Sequence, residues 1–252
     1  MFIITGGGSG IGRALAHALA KRHKSVVIIG RQKSTLIETA AFSSLIDYVC
    51  ADVSSSEGRS CILARLEKTP VIEGLIHNAG IIEPILPINM IDEAAWQQVM
   101  ATNVQAPLFL SQLLYDKLSK GRVLHIGSGA AYFPVAGWAA YCTSKAALSM
   151  LTRCWQLEST DVAFASVMPG IIDTDMQAHI RKASHMNPEK VDFFKRLHQE
   201  KQLVSVATVA AFLCWLLLDI DATKYVSQEW DIYDLSHHPA WLVAPHSVPP
   251  LE

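Results

Sequence analysis

Short runs of apolar, largely β-branched residues alternate along the chain with longer stretches in which apolar positions recur every three or four residues. Phe2 to Thr5 (FIIT) and Ser25 to Gly30 (SVVIIG) are continuous apolar runs, as expected of strands covered on both faces. The same pattern predicts strands at Asp47–Cys50, Gly74–His77, Arg122–Ile126, Ala163–Met168 and Tyr225–Ile232. Helices are predicted between them, at Ile11–Lys21, at Asp92–Leu118 with a bend or break near Pro107, and at Ala139–Glu158. Val206 to Leu218 is apolar throughout but too short to span a bilayer, and Asp219 ends it, so it reads as a buried helix. Strand and helix in turn predict an α/β fold with a parallel, doubly wound sheet and helices on both faces.

One domain is expected over residues 1–235, followed by a Pro-rich tail over 236–252. Pro239, Pro245, Pro249 and Pro250 argue against regular structure for most of that tail, while Trp241, Leu242 and Val243 are placed to pack on the body or on a second subunit. Half of the residues are hydrophobic and 17% are charged, which suits a packed core rather than a disordered chain. A net charge of −2 supplies no field for nucleic acid or anionic lipid, so neither is expected as a partner. The chain opens on a strand, and no secretory leader is expected. Five cysteines, an odd number without a C-x-x-C spacing, fit a reducing, cytoplasmic compartment. Two of them fall in strand or apolar helix runs, where a buried thiol is common. His237 and His238 are adjacent, too close for a spaced metal pair, and no metal is expected. Trp155 and Trp215 read as core or subunit interface.

Residues 5–12 (TGGGSGIG) lie directly between the first strand and the first helix. A turn in that place suits a dinucleotide: Gly6 permits the bend, Gly10 and Gly12 allow close approach of the pyrophosphate, and the helix N-terminus offers free N–H groups. The spacing, G-x-x-x-G-x-G, departs from the commoner G-x-G-x-x-G. These features specify the fold class further, as a single-domain Rossmann-type sheet. The second strand ends at Gly30-Arg31 with no carboxylate for a ribose 2′-hydroxyl. Arg31, with Arg13 as a second charge, instead suits a 2′-phosphate, and the expected cofactor is NADP(H). Both arginines are also compatible with a solvated surface, and Asp52 with either an adenine contact or a loop cap.

Tyr141 and Lys145 stand four residues apart on a predicted helix and so share a face. An ammonium there lowers the pKa of a neighbouring phenol, making it a usable acid or base. Ser128, at the end of a strand, is placed to hold a substrate oxygen beside the phenol. A Tyr–Lys pair at this spacing also occurs on ordinary surfaces.

TGGGSGIG, HNAG at 77–80, Ser128, YCTSK at 141–145 and PGIIDT at 169–174 resemble, in order and spacing, the classical short-chain dehydrogenases. GWAAYCTSKAALSML at 137–151, DTDMQ at 173–177 and WDIYD at 230–234 are similar to the sepiapterin reductases and the bacterial benzil reductases. The resemblance implies a catalytic set of Ser128, Tyr141, Lys145 and Asn103. In it Tyr141 is the general acid, Lys145 binds the nicotinamide ribose and Ser128 orients the carbonyl, while Asn103 holds a water that links Lys145 to solvent. The implied cofactor contacts are Gly6, Gly8, Ser9, Gly10, Ile11, Gly12 and Arg13 at the glycine turn, then Arg31, Asp52 and Val53. Asn78, Ala79 and Gly80, then Tyr141 and Lys145, then Pro169, Gly170, Ile172 and Thr174 complete them, with Thr174 on the carboxamide. Ser128, Trp138, Tyr141, Met176 and Asp231 are expected at the substrate, Asp231 either anchoring a pterin ring or capping the last strand. His77 stands where the family usually has Asn, with little expected consequence. The segment 177–201, polar and containing Pro188, reads as a lid. The implied activity is NADPH-dependent reduction of a ketone or α-dicarbonyl, the alternatives being NADP-dependent alcohol oxidation and a non-catalytic dinucleotide sensor. Relatives dimerise through the helix after Pro107 and the helix bearing Tyr141, so a homodimer is expected.

Overall fold

A computed structural model describes residues 1–69 and 71–250, so the last two residues of the predicted tail lie outside the described residues. The strands are β1 (Phe2–Thr5), β2 (Val26–Gly30), β3 (Ile46–Cys50), β4 (Gly74–His77), β5 (Arg122–Ile126), β6 (Ala163–Met168) and β7 (Trp230–Asp231). They form one sheet in the order β3-β2-β1-β4-β5-β6-β7, and every pairing is parallel. The order reverses between β1 and β4, which opens a crevice at the strands' carboxyl ends, where such folds bind ligands.

Alternate residues of the strands feed two different cores. Phe2, Ile4, Val26, Ile28, Leu124 and Val167 pack on one face. That face is covered by α1 (Gly10–Lys21) and by α9 (Val206–Leu218), the predicted buried helix. Ile3, Val27, Ile29, Leu75, Val123 and Phe164 pack on the other face. The second layer carries α3 (Ser56–Arg65), α5 (Ala106–Leu114) and α6 (Ala139–Glu158). Where both faces are buried, as in β1 and β2, the strands contain no polar alternation, which is why they read as continuous apolar runs. α2 (Lys33–Ala40) connects β2 to β3.

The long helix predicted over 92–118 is interrupted. Asp92 caps α4 (Glu93–Met100), a π-helical turn follows at Ala101–Gln105, and α5 then begins with Pro107 in its first turn. Proline lacks an N–H and is tolerated only there, so the chain accommodates it by a wider turn just upstream. That turn carries Asn103.

The last predicted strand differs more. Tyr225 closes a short helix, α10 (Ala222–Tyr225), whose N-terminus is capped by Asp221, and only Trp230 and Asp231 pair with β6. The polar stretch Ser227-Gln228-Glu229 cannot be covered on both faces at this sheet edge. The tail is irregular for most of its described length, as its prolines predict, apart from a 3₁₀ turn at Leu235–His237 and α11 (His238–Trp241) with Pro239 in its first turn. Trp241 is buried on the body and Leu242 packs beside it, while Val243 is exposed. Among the cysteines only Cys214 is buried; Cys50 is exposed because β3 is an edge strand. No helix among the described residues is long and apolar enough to cross a membrane.

Candidate active site

A cleft of about 1120 Å³ opens at the carboxyl ends of the strands. One wall is the glycine turn, where Gly6, Gly8, Ser9, Gly10 and Ile11 line the cleft. Gly6 and Gly10 have φ of +67° and +50°, a region that favours glycine. A Cβ on Gly10 would meet only Thr174, at 3.5 Å across the opening, so its absence leaves backbone free to approach a ligand. Gly12 serves another purpose than the one expected. Its Cβ would lie 2.3 Å from the Gly6 carbonyl oxygen, so this glycine lets helix and turn pack together and does not line the cleft.

Asn78 ties the turn to the neighbouring strand. Its Nδ2 donates to the carbonyl oxygens of Thr5 (2.9 Å) and Gly6 (3.1 Å), and its own N–H donates to Thr5 Oγ1 (3.1 Å). Asn78, Ala79, Gly80, Asp52, Val53 and Arg31 all face the cleft. Arg31 is largely exposed and stands 3.9 Å from the Asp52 carboxylate. That carboxylate also caps its own loop, accepting from Ser54 N–H and Ser54 hydroxyl, so both open readings of Asp52 have a structural counterpart. Arg13 is committed elsewhere. Its guanidinium donates to the Gly8 carbonyl oxygen (2.6 and 3.1 Å) and forks onto Glu38 (2.9 and 3.0 Å), which leaves no free charge for a phosphate.

Tyr141 and Lys145 share the buried face of α6 and both line the cleft with Ser128. The Lys145 ammonium donates to the Ile126 carbonyl oxygen at 2.7 Å and lies 5.6 Å from the Tyr141 ring centre. Ser128 follows β5 in extended backbone, two residues past its end, and its Oγ accepts from Ala130 N–H at 3.1 Å, fixing a one-turn loop. Burial pushes the Tyr141 phenol up to about 12, with the Ser128 hydroxyl pulling the other way and Cys142 adding to the rise. Burial also pulls Lys145 down to about 8. The lowering of the phenol expected from the ammonium does not occur in the protein alone: burial sets the direction, and Lys145 is not among the groups that shift it.

Asn103 does not line the cleft. Its Oδ1 accepts from Ile81 N–H (2.9 Å), and its Nδ2 donates to the Ile81 carbonyl oxygen and to Ser144 Oγ (both 2.9 Å). Gly80 separates it from the ammonium: a Cβ there would stand 3.4 Å from Asn103 Oδ1 and 3.7 Å from Lys145 Nζ. Below this layer His77 bonds Ser111 Oγ (2.9 Å) and His125 bonds Thr152 Oγ1 (2.8 Å), the two rings lying 5.1 Å apart.

The remaining wall is apolar. Trp138 meets the Tyr141 ring edge to face at 5.8 Å and stacks on Phe194 at 5.9 Å, while its Nε1–H points at Met186 Sδ. Phe194 comes from the predicted lid, which folds as α7 (Asp175–Ile180) and α8 (Pro188–Gln199). Ile180, Met186, Val191, Phe194 and Leu197 bury themselves against Trp138 and Tyr141 as a third apolar cluster. Met176, Pro169, Gly170, Ile172 and Thr174 line this side, and Thr174 Oγ1 also caps α7 by accepting from Gln177 N–H. Asp231 lines the cleft as well, with Oδ1 taking the N–H of Tyr233 at 3.0 Å. Phe194, Tyr132, Lys190 and Gln177 were missed in the sequence. Gln177 is buried and lines the cleft with no hydrogen-bond partner for its Oε1. The apolar spacing Val191-Phe194-Leu197 in an otherwise polar stretch was the available signal for α8.

Residues 1–185 match the family described as short chain dehydrogenase. The chain is 33% identical over 226 residues to a benzil reductase ((S)-benzoin forming) of Bacillus subtilis, covering 86% of this chain and 93% of that protein. It is 32% identical over 237 residues to the sepiapterin reductase of Meriones unguiculatus, covering 85% and 90%. Among solved structures, the YIR035C short chain dehydrogenase/reductase from Saccharomyces cerevisiae superposes with a TM-score of 0.89 at 26% identity, over 95% of this chain and 98% of that one.

Proposed function

Because the chain belongs to the short-chain dehydrogenase family, we propose that it is an NADPH-dependent carbonyl reductase acting on a flat ketone or α-dicarbonyl of the sepiapterin or benzil kind. The observation that carries this reading is the convergence of Tyr141, Ser128 and Lys145 on a cleft whose other wall is a glycine turn at a helix N-terminus. A dinucleotide fits there: the missing Cβ of Gly10 leaves backbone open to it, and the N-terminus of α1 suits its phosphates. Gly8, Ser9, Ile11, Val53, Ala79, Pro169 and Ile172 would hold it, with Thr174 on the carboxamide and Arg31 on the 2′-phosphate. When bound, the reduced nicotinamide supplies a hydride to the carbonyl carbon.

The protein's part is orientation and a proton. Ser128 holds the carbonyl oxygen, and Tyr141 donates its hydroxyl proton to that oxygen as negative charge develops there. Lys145, braced on the Ile126 carbonyl, holds a ribose hydroxyl and stabilises the phenolate left behind. Asn103, buried across Gly80 from Lys145 with its amide bonded to Ile81 and Ser144, braces this layer, and a water reaching Lys145 from the cleft would restore the proton.

Trp138, Phe194 and Met176 suit a planar conjugated ketone. Asp231 and the Gln177 oxygen would accept hydrogen bonds from a pterin amine or ring N–H, which benzil does not carry. Phe109 and Leu113 on α5, with Met150 and Leu157 on α6, are exposed apolar pairs on the two helices expected to join a homodimer. The test is the loss of reduced-nicotinamide absorbance with sepiapterin and with benzil, using NADPH and NADH in parallel. Turnover on NADPH, with Arg31→Asp narrowing the preference, supports the reading. No turnover of either ketone removes the reductase assignment, and equal use of both cofactors by the wild type removes the role of Arg31.

A further inference from the structure

Two adjacent histidines in the C-terminal segment bond the backbone where the last strand ends on the substrate side of the cleft. His237 Nε2 lies 2.9 Å from the Asp231 carbonyl oxygen, and His238 Nε2 lies 2.7 Å from the Ile232 carbonyl oxygen. A carbonyl only accepts, so each Nε2 carries the proton and donates it. At His237 the assignment is checked from the other side, because Trp241 Nε1–H donates to His237 Nδ1 at 2.8 Å. Indole N–H is a donor only, so Nδ1 is the acceptor and one neutral tautomer satisfies both contacts.

The ring is held in place as well as bonded. His237 stacks on Phe212 at 5.0 Å and 11°, lies 5.5 Å from Trp215, and meets Trp230 at 5.6 Å, leaving 5% of its surface exposed. This matters because β7 itself is weakly held, with two residues paired to β6 at the edge of the sheet. The strand and the residues just after it reach the site directly. Asp231 lines the cleft, and the Tyr233 hydroxyl accepts the N–H of Ile171 at 3.0 Å in the loop that carries Gly170 and Ile172. A Cβ on Gly170 would meet that hydroxyl at 3.0 Å, so loop and strand are in close contact.

We propose that His237 and His238 are positioning residues: the 237–241 segment is a strap that sets the cleft wall formed by Asp231 and Tyr233, and through it the fit of the ketone. The proposal rests on the reading of this cleft as the site of carbonyl reduction, but one arm of its test does not. His237→Phe keeps a ring between Phe212 and Trp215 and removes both hydrogen bonds, whereas His237→Gln keeps an amide donor for the Asp231 oxygen and gives up the ring.

With NADPH and whichever of sepiapterin or benzil is turned over, His237→Phe should raise KM about five- to tenfold, the scale of one or two hydrogen bonds. kcat and NADPH affinity should stay within about twofold, and the Gln variant should recover most of the loss. Hydrogen exchange of the peptide spanning residues 229–234 should accelerate in the Phe variant and not in β5 or β6. If that variant does not fold, Trp241→Phe keeps an aromatic ring beside Phe212 and removes the N–H that selects the tautomer, with a smaller change expected in the same direction. A folded variant with wild-type KM and wild-type exchange overturns the proposal. So does a parallel loss of NADPH affinity, or a Gln variant no better than Phe, since either marks a merely structural role. If neither ketone is turned over, the reductase reading fails and the exchange measurement alone decides the strap.

Discussion

Tyr141→Phe keeps the ring that packs against Trp138 and removes the proton that the proposed reduction draws on. General acid catalysis is worth roughly 10²–10⁴-fold, so kcat should fall to about one per cent or less. NADPH affinity should stay within a few-fold; a variant retaining a tenth of wild-type kcat would show that the proton comes from elsewhere. The placement of Tyr141 beside Lys145 was legible in the sequence because it is local: a phenol and an ammonium four residues apart on a helix share a face whatever the fold. Arg13 was not legible in the same way. Its spacing after the glycine turn suggested a phosphate contact, but Glu38, on another helix, takes up its guanidinium. Nothing in the linear pattern joins those two positions.

At the level of elements, the strands were readable where both faces are covered and unreadable at the edge. Tyr225–Ile232 has strand-like aromatic and β-branched residues, yet the capping carboxylate of Asp221 turns its start into a helix. The interrupted helix around Asn103 was signalled by Pro107, though not that the break would take the form of a π turn. The α7–α8 cover was legible as a lid, but what its apolar face packs on was not, because Trp138 and Tyr141 lie in a distant part of the chain. That face has a measurable role in the proposed reduction. Phe194→Ala removes the ring stacked on Trp138, and an aromatic contact of this kind is worth about 0.5–1.5 kcal/mol. KM for an aromatic ketone should rise up to about tenfold with NADPH affinity unchanged; a KM that does not move would place the substrate away from α8.

For the molecule as a whole, the buried histidine layer makes stability depend on pH. Burial pushes His125 down to about 3, with Lys145 adding to the effect. His77 is lowered too, by burial and then by His125. Both stay neutral in the fold while the unfolded chain takes up protons below about 6.5, so stability is full above that pH. As pH falls each histidine removes about 1.4 kcal/mol per unit, levelling off below its folded value. Urea midpoints measured from pH 8 to pH 5 should therefore be flat at first and then fall; a flat profile throughout would mean that these rings are charged or exposed. The parallel sheet has another consequence, which concerns time. Ile4 pairs with both Ile28 and Ile76, so the glycine turn is flanked by its neighbouring strands once the first third of the chain has been made. Trp230 and Asp231 join the far edge, and the histidines that fasten them come later still. On a ribosome the parts of the cleft therefore emerge in sequence, the glycine turn first and the stretch of the opposite wall formed by Asp231 and Tyr233 after all the rest of it.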